Sequence, residues 1–179
     1  MEFSETAILG NGCFWCTEAI FSRLKGIYSV TSGYAGGKIQ NPSYYDVSKG
    51  NTGHAEVLKI EFNPKEISYE QLLDVFYHTH DPTSLNKQGA DVGTQYRSII
   101  LYNSKEQKKT AEQFTKKVQK DFDKPIVTEI VPLDTFYDAE SYHQNYYEKN
   151  SFQPYCQLVI TPKVDTFQKR YKALLKKKT

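Results

Sequence analysis

The sequence predicts an α+β protein: a two-layer α/β sandwich with a central mixed sheet, helices packed on it and long active-site loops. Three observations predict it. Short runs rich in β-branched and aromatic residues alternate with amphipathic helical stretches. Two Ser-x-x-Gln signatures mark helix starts. Connections of both hairpin and crossover length join the elements. No Pro/Gly/Ser-rich linker or fixed-period repeat divides the chain, and apolar positions recur from Ala7 to Leu175, so residues 1–179 read as a single domain.

The elements follow in order. Thr6 to Leu9 is apolar and strand-like, and the helical stretch Thr17 to Leu24 follows the Gly10-Asn11-Gly12 turn. Strands are expected at Tyr28 to Ser32, along the alternating run Glu56 to Phe62, and at Ser98 to Tyr102, Ile126 to Val131 and Gln157 to Ile160. Ser68-Tyr69-Glu70-Gln71 opens a helix with Leu72, Leu73 and Phe76 on one face, and Ser104-Lys105-Glu106-Gln107 opens another with Ala111, Phe114 and Val118 in line. Two more helices are expected, over Asp138 to Glu148 and Val164 to Lys176. Gly33 to Gly53 and His80 to Arg97 fit no periodicity and read as long loops, which in a compact domain are more often functional than idle.

Composition narrows the partners. With 39% hydrophobic and 25% charged residues the chain is globular in character, and a net charge of +2 is too small for an electrostatic hold on nucleic acid or an anionic membrane. No apolar run approaches the roughly 18 residues that span a bilayer, and the acidic start Met1-Glu2-Phe3-Ser4-Glu5 does not resemble a secretory signal, so the expected location is the cytoplasm. Three cysteines do not form a disulfide framework. In a reducing compartment such thiols tend to be catalytic or metal-binding.

Cys13 stands out among them. Gly10-Asn11-Gly12-Cys13-Phe14-Trp15-Cys16 runs from a strand into a helix and puts Cys13 at the helix N-terminus, where unpaired N–H groups favour a thiolate. The chain's only Trp and a Phe follow, implying an apolar pocket beside a reactive sulfur. The bland alternative is a small buried cysteine in a Phe-Trp core. Zinc is disfavoured: a closed site needs four ligands, no second C-x-x-C or matching His pair is present, and His78 and His80 are spaced too closely.

Gly12-Cys13-Phe14-Trp15, Gly53-His54-Ala55-Glu56, His80-Asp81-Pro82, Gly93-Thr94-Gln95-Tyr96-Arg97-Ser98 and Tyr142-His143-Gln144 together closely resemble the A-type peptide methionine sulfoxide reductases, in that family's order and over most of the chain. The resemblance implies reduction of methionine S-sulfoxide, protein-bound and free, to methionine, as antioxidant protein repair. Cys13 would be the nucleophile and Glu56 the acid that protonates the sulfoxide oxygen. Tyr44 and Tyr96 would hydrogen-bond that oxygen, with Asp91 the polar substrate-binding residue beside them, and Phe14 and Trp15 would enclose the methyl group. His54 and His143 are expected to be structural. No metal or organic cofactor is called for.

The sulfenic acid left on Cys13 needs a second thiol. Cys156, after Tyr155, matches the resolving cysteine of many relatives, and the match favours it. Cys16 replaces a glycine common in the family, at a spacing redox disulfides tolerate. The resulting disulfide would be recycled by thioredoxin or a similar dithiol. The Lys-rich end, Lys169-Arg170 and Lys176 to Lys178, reads as a solvated helix terminus. Two other readings compete: a general thiol:disulfide oxidoreductase using Cys13 and Cys16, and a non-catalytic module that binds oxidised methionine in an aromatic cup.

Overall fold

The computed structural model describes residues 3–178; Met1 and Glu2, which open the acidic N-terminal stretch, and Thr179 lie outside the described residues. The strands are β1 (Glu5–Asn11), β2 (Ile27–Ala35), β3 (Ala55–Phe62), β4 (Lys87–Gln88), β5 (Asp91–Val92), β6 (Ser98–Tyr102), β7 (Glu129–Pro132) and β8 (Phe136–Asp138). The helices are α1 (Phe14–Phe21), α2 (Tyr44–Ser48), α3 (Tyr69–His78), α4 (Lys105–Val118), α5 (Tyr146–Asn150) and α6 (Thr161–Arg170). Six strands form one sheet in the order β7-β6-β1-β3-β2-β8, antiparallel except for the parallel β6–β7 pair, while β4 and β5 make a separate small hairpin.

Alternation along the strands loads both faces of the sheet. Ala7 and Leu9 of β1, Leu58, Ile60 and Phe62 of β3 and Ile100 of β6 join the larger core, which includes Ile20 of α1, Leu72 and Phe76 of α3, Phe114 of α4 and Phe167 of α6. The intervening residues Ile8, Val57, Ile99 and Leu101 point the other way, into a second core closed by Val131, Leu133 and Phe136. Helices therefore cover one face, and the other closes on itself.

The chain forces this curl. β7 ends at Pro132 and β8 begins at Phe136, yet these are the two outer strands of the sheet. Laid flat, their separation would be about 24 Å, five spacings of about 4.8 Å. The link between them reaches about 14 Å at most, at about 3.5 Å per residue. The two edges must swing together. β8 lies so close over β2 that a Cβ on Gly33 would stand 2.4 Å from the Tyr137 carbonyl oxygen and 2.2 Å from Phe136.

Several local expectations need correction. Cys156–Ile160 is a π-helical turn leading into α6 rather than a strand: Cys156 and Ile160 are buried while Gln157 and Leu158 are exposed, a helical and not an alternating pattern. The expected helix over Asp138 to Glu148 is broken up. Asp138 ends β8, Ser141–His143 is a single 3₁₀ turn, Asn145 is left-handed at φ 55°, and α5 starts only at Tyr146. The Gln144 side chain explains the break, exchanging bonds with Ser32 N–H and C=O at 2.9 Å each, as a strand neighbour would.

The first helix starts earlier, at Phe14, and the last runs Thr161–Arg170 before Tyr171 leaves it to donate from its hydroxyl to the Asp74 carbonyl at 3.0 Å. Pairing of the fifth expected strand begins only at Glu129, because Gln119 captures the Ile126 N–H. The Ser68 box is reciprocal, whereas Gln107 turns its oxygen to Asn103 N–H instead of Ser104. Neither long loop is without structure: the first contains the end of β2 and α2, capped by Ser43 and Asp46, and the second contains the β4–β5 hairpin. No helix among the described residues is long and apolar enough to cross a membrane.

Candidate active site

β1 delivers the chain to Gly12, whose φ of +113° lets the backbone turn beneath Gln88, where a Cβ would come within 2.9 Å of that side chain. Cys13 is then the N-cap of α1, half-buried, with φ −58° and ψ 124°. The helix start behaves as expected in one respect: the Trp15 N–H stabilises the Cys13 thiolate. It does not win. The hydrogen-bonded Cys16 thiol, burial and the Glu56 carboxyl push Cys13 well above the usual thiol range, which corrects the expectation of a lowered value. Cys16 moves the opposite way, because Cys13 donates to its sulfur. The two thiols thus form a coupled pair that gives up its first proton readily and holds the second.

Glu56, near the start of β3, is brought beneath this turn by the β1–β3 pairing. It is 3% exposed, accepts the Phe14 N–H at 3.1 Å, and is pushed up to about 8 by burial, with Asp91 and Cys16 adding to the effect. The carboxyl is therefore largely neutral at pH 7 and able to donate a proton.

Phe14 and Trp15 enter a cage of rings. Phe14 is fully buried against Tyr34 at 5.7 Å and His143 at 5.0 Å between ring centres. The Trp15 indole lies flat on Tyr146 at 3.6 Å and 5°, meets Tyr155 edge-on, and donates from Nε1 to His143 Nδ1 at 3.0 Å. That bond fixes the His143 proton on Nε2, in contact with the site rather than remote from it. His54 has a purely structural place, bonded to Gly37 N–H and the Ile39 carbonyl.

The Gly93–Ser98 motif acts as a clamp. Thr94 Oγ1 donates to Gly50 C=O at 3.1 Å, Gln95 Nε2 to Ser48 C=O at 3.3 Å and an Arg97 guanidinium nitrogen to Gly53 C=O at 2.8 Å. These bonds hold the segment carrying Tyr44 against the one carrying Tyr96. Both phenols are raised by burial and by Glu56, Tyr44 to about 12, and stay protonated donors. Asp91, in β5, accepts from the Tyr155 hydroxyl at 3.1 Å, and Tyr155 also reaches both Cys13 and Cys16.

Cys13, Cys16, Glu56, Phe14, Trp15, Tyr44, Tyr96 and Asp91 are thus gathered together. Cys156 lies behind them, fully buried in the core on the side of Cys16. All three cysteines are free. Sequence reasoning missed Tyr155 and Tyr146, whose only signal was an aromatic density between Tyr142 and Tyr155 that ordinary packing also explains. Size alone does not locate the site: a cleft of about 610 Å³ near Ser68, Asn103 and Gln107 contains no cysteine.

A sequence model described as peptide methionine sulfoxide reductase matches residues 5–175. The chain belongs to the peptide methionine sulfoxide reductase family. It is 55% identical over 167 residues to the peptide methionine sulfoxide reductase MsrA of Sulfolobus acidocaldarius, covering 93% of this chain and 95% of that protein. Among solved structures, Mxr1 from Saccharomyces cerevisiae in reduced form superposes with a TM-score of 0.80 at 37% identity, over 86% of this chain and 89% of that one. The complex of Mxr1 with Trx2 also matches, with a TM-score of 0.57 at 27% identity over 80% and 84% of the two chains. As a member of the family the chain is a methionine sulfoxide reductase.

Proposed function

We propose that this reductase works through a Cys13 sulfenic acid. The sulfoxide methyl group enters the cage of Phe14 and Trp15 while the oxygen faces Glu56, Tyr44, Tyr96 and Asp91, a division that suits one epimer, the S form. Cys13 passes its proton to Cys16 as its sulfur attacks the sulfoxide sulfur, and Glu56 protonates the departing oxygen. A Cys13–methionine S–S bond thus replaces the S–O bond. The oxygen, released as water, attacks the Cys13 sulfur, and methionine leaves with the electron pair of the S–S bond. Two electrons have then passed to methionine, and Cys13 carries the oxygen as sulfenic acid. A second thiol then condenses with it, forming the S–S bond and releasing water. The observation that carries this reading is the buried, neutral Glu56 one hydrogen bond from the residue after Cys13.

For the second thiol the geometry supports Cys16 over Cys156. Cys16 already hydrogen-bonds Cys13 from the first turn of the same helix, whereas Cys156 is buried in the core on its π-helical turn. The Mxr1–Trx2 complex supports thioredoxin as the dithiol that returns the disulfide to thiols. Substrates are oxidised proteins and free methionine sulfoxide. Mass spectrometry after one turnover with an S-sulfoxide peptide tests the scheme: one methionine per enzyme and a Cys13–Cys16 disulfide are expected, and release of methionine without loss of two thiols would refute it.

A further inference from the structure

One buried carboxyl has no part in this chemistry. Glu18 lies on α1, one turn beyond Trp15, and is 4% exposed. Its Oε1 accepts the Tyr146 N–H at 3.2 Å, with Asn145 N–H also bonded to the carboxylate, and Oε2 accepts from Ser32 Oγ at 3.4 Å. Asn145 is left-handed and its side chain makes no capping bond, so Glu18 supplies from another element the acceptor that fixes where Tyr146 begins. Tyr146 in turn is the ring on which the Trp15 indole lies flat.

We propose that Glu18 is a positioning residue for the sulfoxide pocket, holding the Asn145–Tyr146 backbone so that the Tyr146 ring sets the plane of Trp15. The role of Trp15 as a pocket wall rests on the function proposed above; the coupling of Glu18 to Trp15 does not. The carboxylate form accepts these N–H bonds best, and loss of its charge weakens the hold.

Burial pushes Glu18 up to about 7, against which the Tyr146, Asn145 and Ser32 bonds and Lys149 of α5 act. Ser32 faces it from β2, Arg23 in the turn just past the end of α1 is paired with Glu148 of α5, Glu56 of β3 is bonded to Phe14, and burial holds His143 below its usual range. The hold therefore changes strength near neutral pH.

Trp15 is the only tryptophan, so intrinsic emission reports its environment directly. Emission of the substrate-free wild type is expected to change with a midpoint near pH 7, and Glu18→Gln should remove this step while Glu56→Gln keeps it. For an S-sulfoxide peptide at pH 8, Glu18→Gln should raise KM roughly tenfold and leave kcat within about twofold. Tyr146→Ala should raise KM similarly, without further loss in the double variant. A folded Glu18→Gln protein with wild-type emission and KM overturns the proposal, as does an equal fall of kcat and kcat/KM. If Glu18→Gln does not fold, the wild-type titration decides, and a flat emission profile from pH 6 to 8 overturns it. If no variant or wild type reduces sulfoxide, the proposed function fails while the emission step still tests the coupling.

Discussion

The Phe14 N–H donates to Glu56 Oε1 across 3.1 Å, joining the residue after Cys13 to the buried carboxyl 42 positions away. In the proposed mechanism this bond sets the distance between the attacking sulfur and the protonating carboxyl; its donor is fixed backbone, and burial at 3% exposure restrains the Glu56 side chain that accepts it. Replacing the acid by its amide should preserve the bond and remove the proton. Glu56→Gln is therefore expected to slow single-turnover reduction by roughly 10² to 10⁴ with the fold intact. Stopped-flow measurement with an S-sulfoxide peptide checks this, and an unchanged rate would remove Glu56 from the mechanism.

The same carboxyl should govern part of the stability profile. Its folded pKa, about 8, lies above the ordinary carboxyl value, so the folded state binds the proton more tightly than the unfolded state. The stability it contributes is complete at acid pH, below the unfolded value, and is lost as pH rises through about 8. Relative to wild type, Glu56→Gln should gain stability between pH 4.5 and 8.5, by an amount on the order of 4 kcal/mol. Urea unfolding at both pH values measures it; a difference that does not grow with pH contradicts the assignment.

Cys13→Ser should abolish reduction, since a hydroxyl near neutral pH is a far weaker nucleophile than a thiolate. Its circular dichroism and melting curve should remain those of a folded protein, because Cys13 is a half-buried helix cap at the margin of the core and serine keeps its shape but for one atom. Measurable single-turnover reduction by the pure variant would mean that another thiol attacks.

With Cys16→Ser, one methionine per enzyme should still form, more slowly because the acceptor of the Cys13 proton is gone, and thioredoxin-dependent turnover should fall by at least tenfold because the condensing thiol is missing. Cys156→Ser should keep most of that turnover. Peptide mapping of the oxidised wild type that finds Cys13 joined to Cys156, with Cys16 free, reverses the order.

Gly33→Ala tests the curl of the sheet. The new methyl group would meet Phe136 and the Tyr137 carbonyl inside van der Waals contact, so β8 must shift. A loss of about 3 kcal/mol or more is expected, at the upper end of overpacking costs, and is read from chemical denaturation; a loss below about 0.5 kcal/mol would mean that β8 is free to move.

Elements whose signals are local were legible in the sequence. Ser68 with Gln71, the alternation of Glu56 to Phe62 and the apolar run Ser98 to Tyr102 all depend on neighbours in the chain, and each forms close to where it is expected. Where distant partners decide, local pattern fails. Gln144 bonds to Ser32, 112 residues away, and breaks a helix that composition favours. The β-branched residues near Cys156 suggest a strand, yet their buried positions fall four apart because the turn continues into α6. The site shows the same division. Cys13, Phe14 and Trp15 share one motif, but nothing in the chain near Tyr155 or Tyr146 announces that they meet Trp15. The position of Cys13 at a helix start was readable, and the protonation of its thiol was not, because Cys16 and Glu56 act on it through space.

The short link from Leu133 to Thr135 works as a clasp. Hydrogen bonds run along the sheet from β7 to β8 one way round, and three residues of covalent chain complete the circuit the other way. The strand pulled in by the clasp leads straight into Glu140, which receives the Tyr34 hydroxyl at 3.0 Å and the Tyr44 N–H at 2.9 Å, and then into His143 beneath the indole. Curvature of the sheet and width of the aromatic cage are thus one geometric variable. Inserted residues, tolerated at most surface turns, would here slacken the ring and let the mouth of the cage gape.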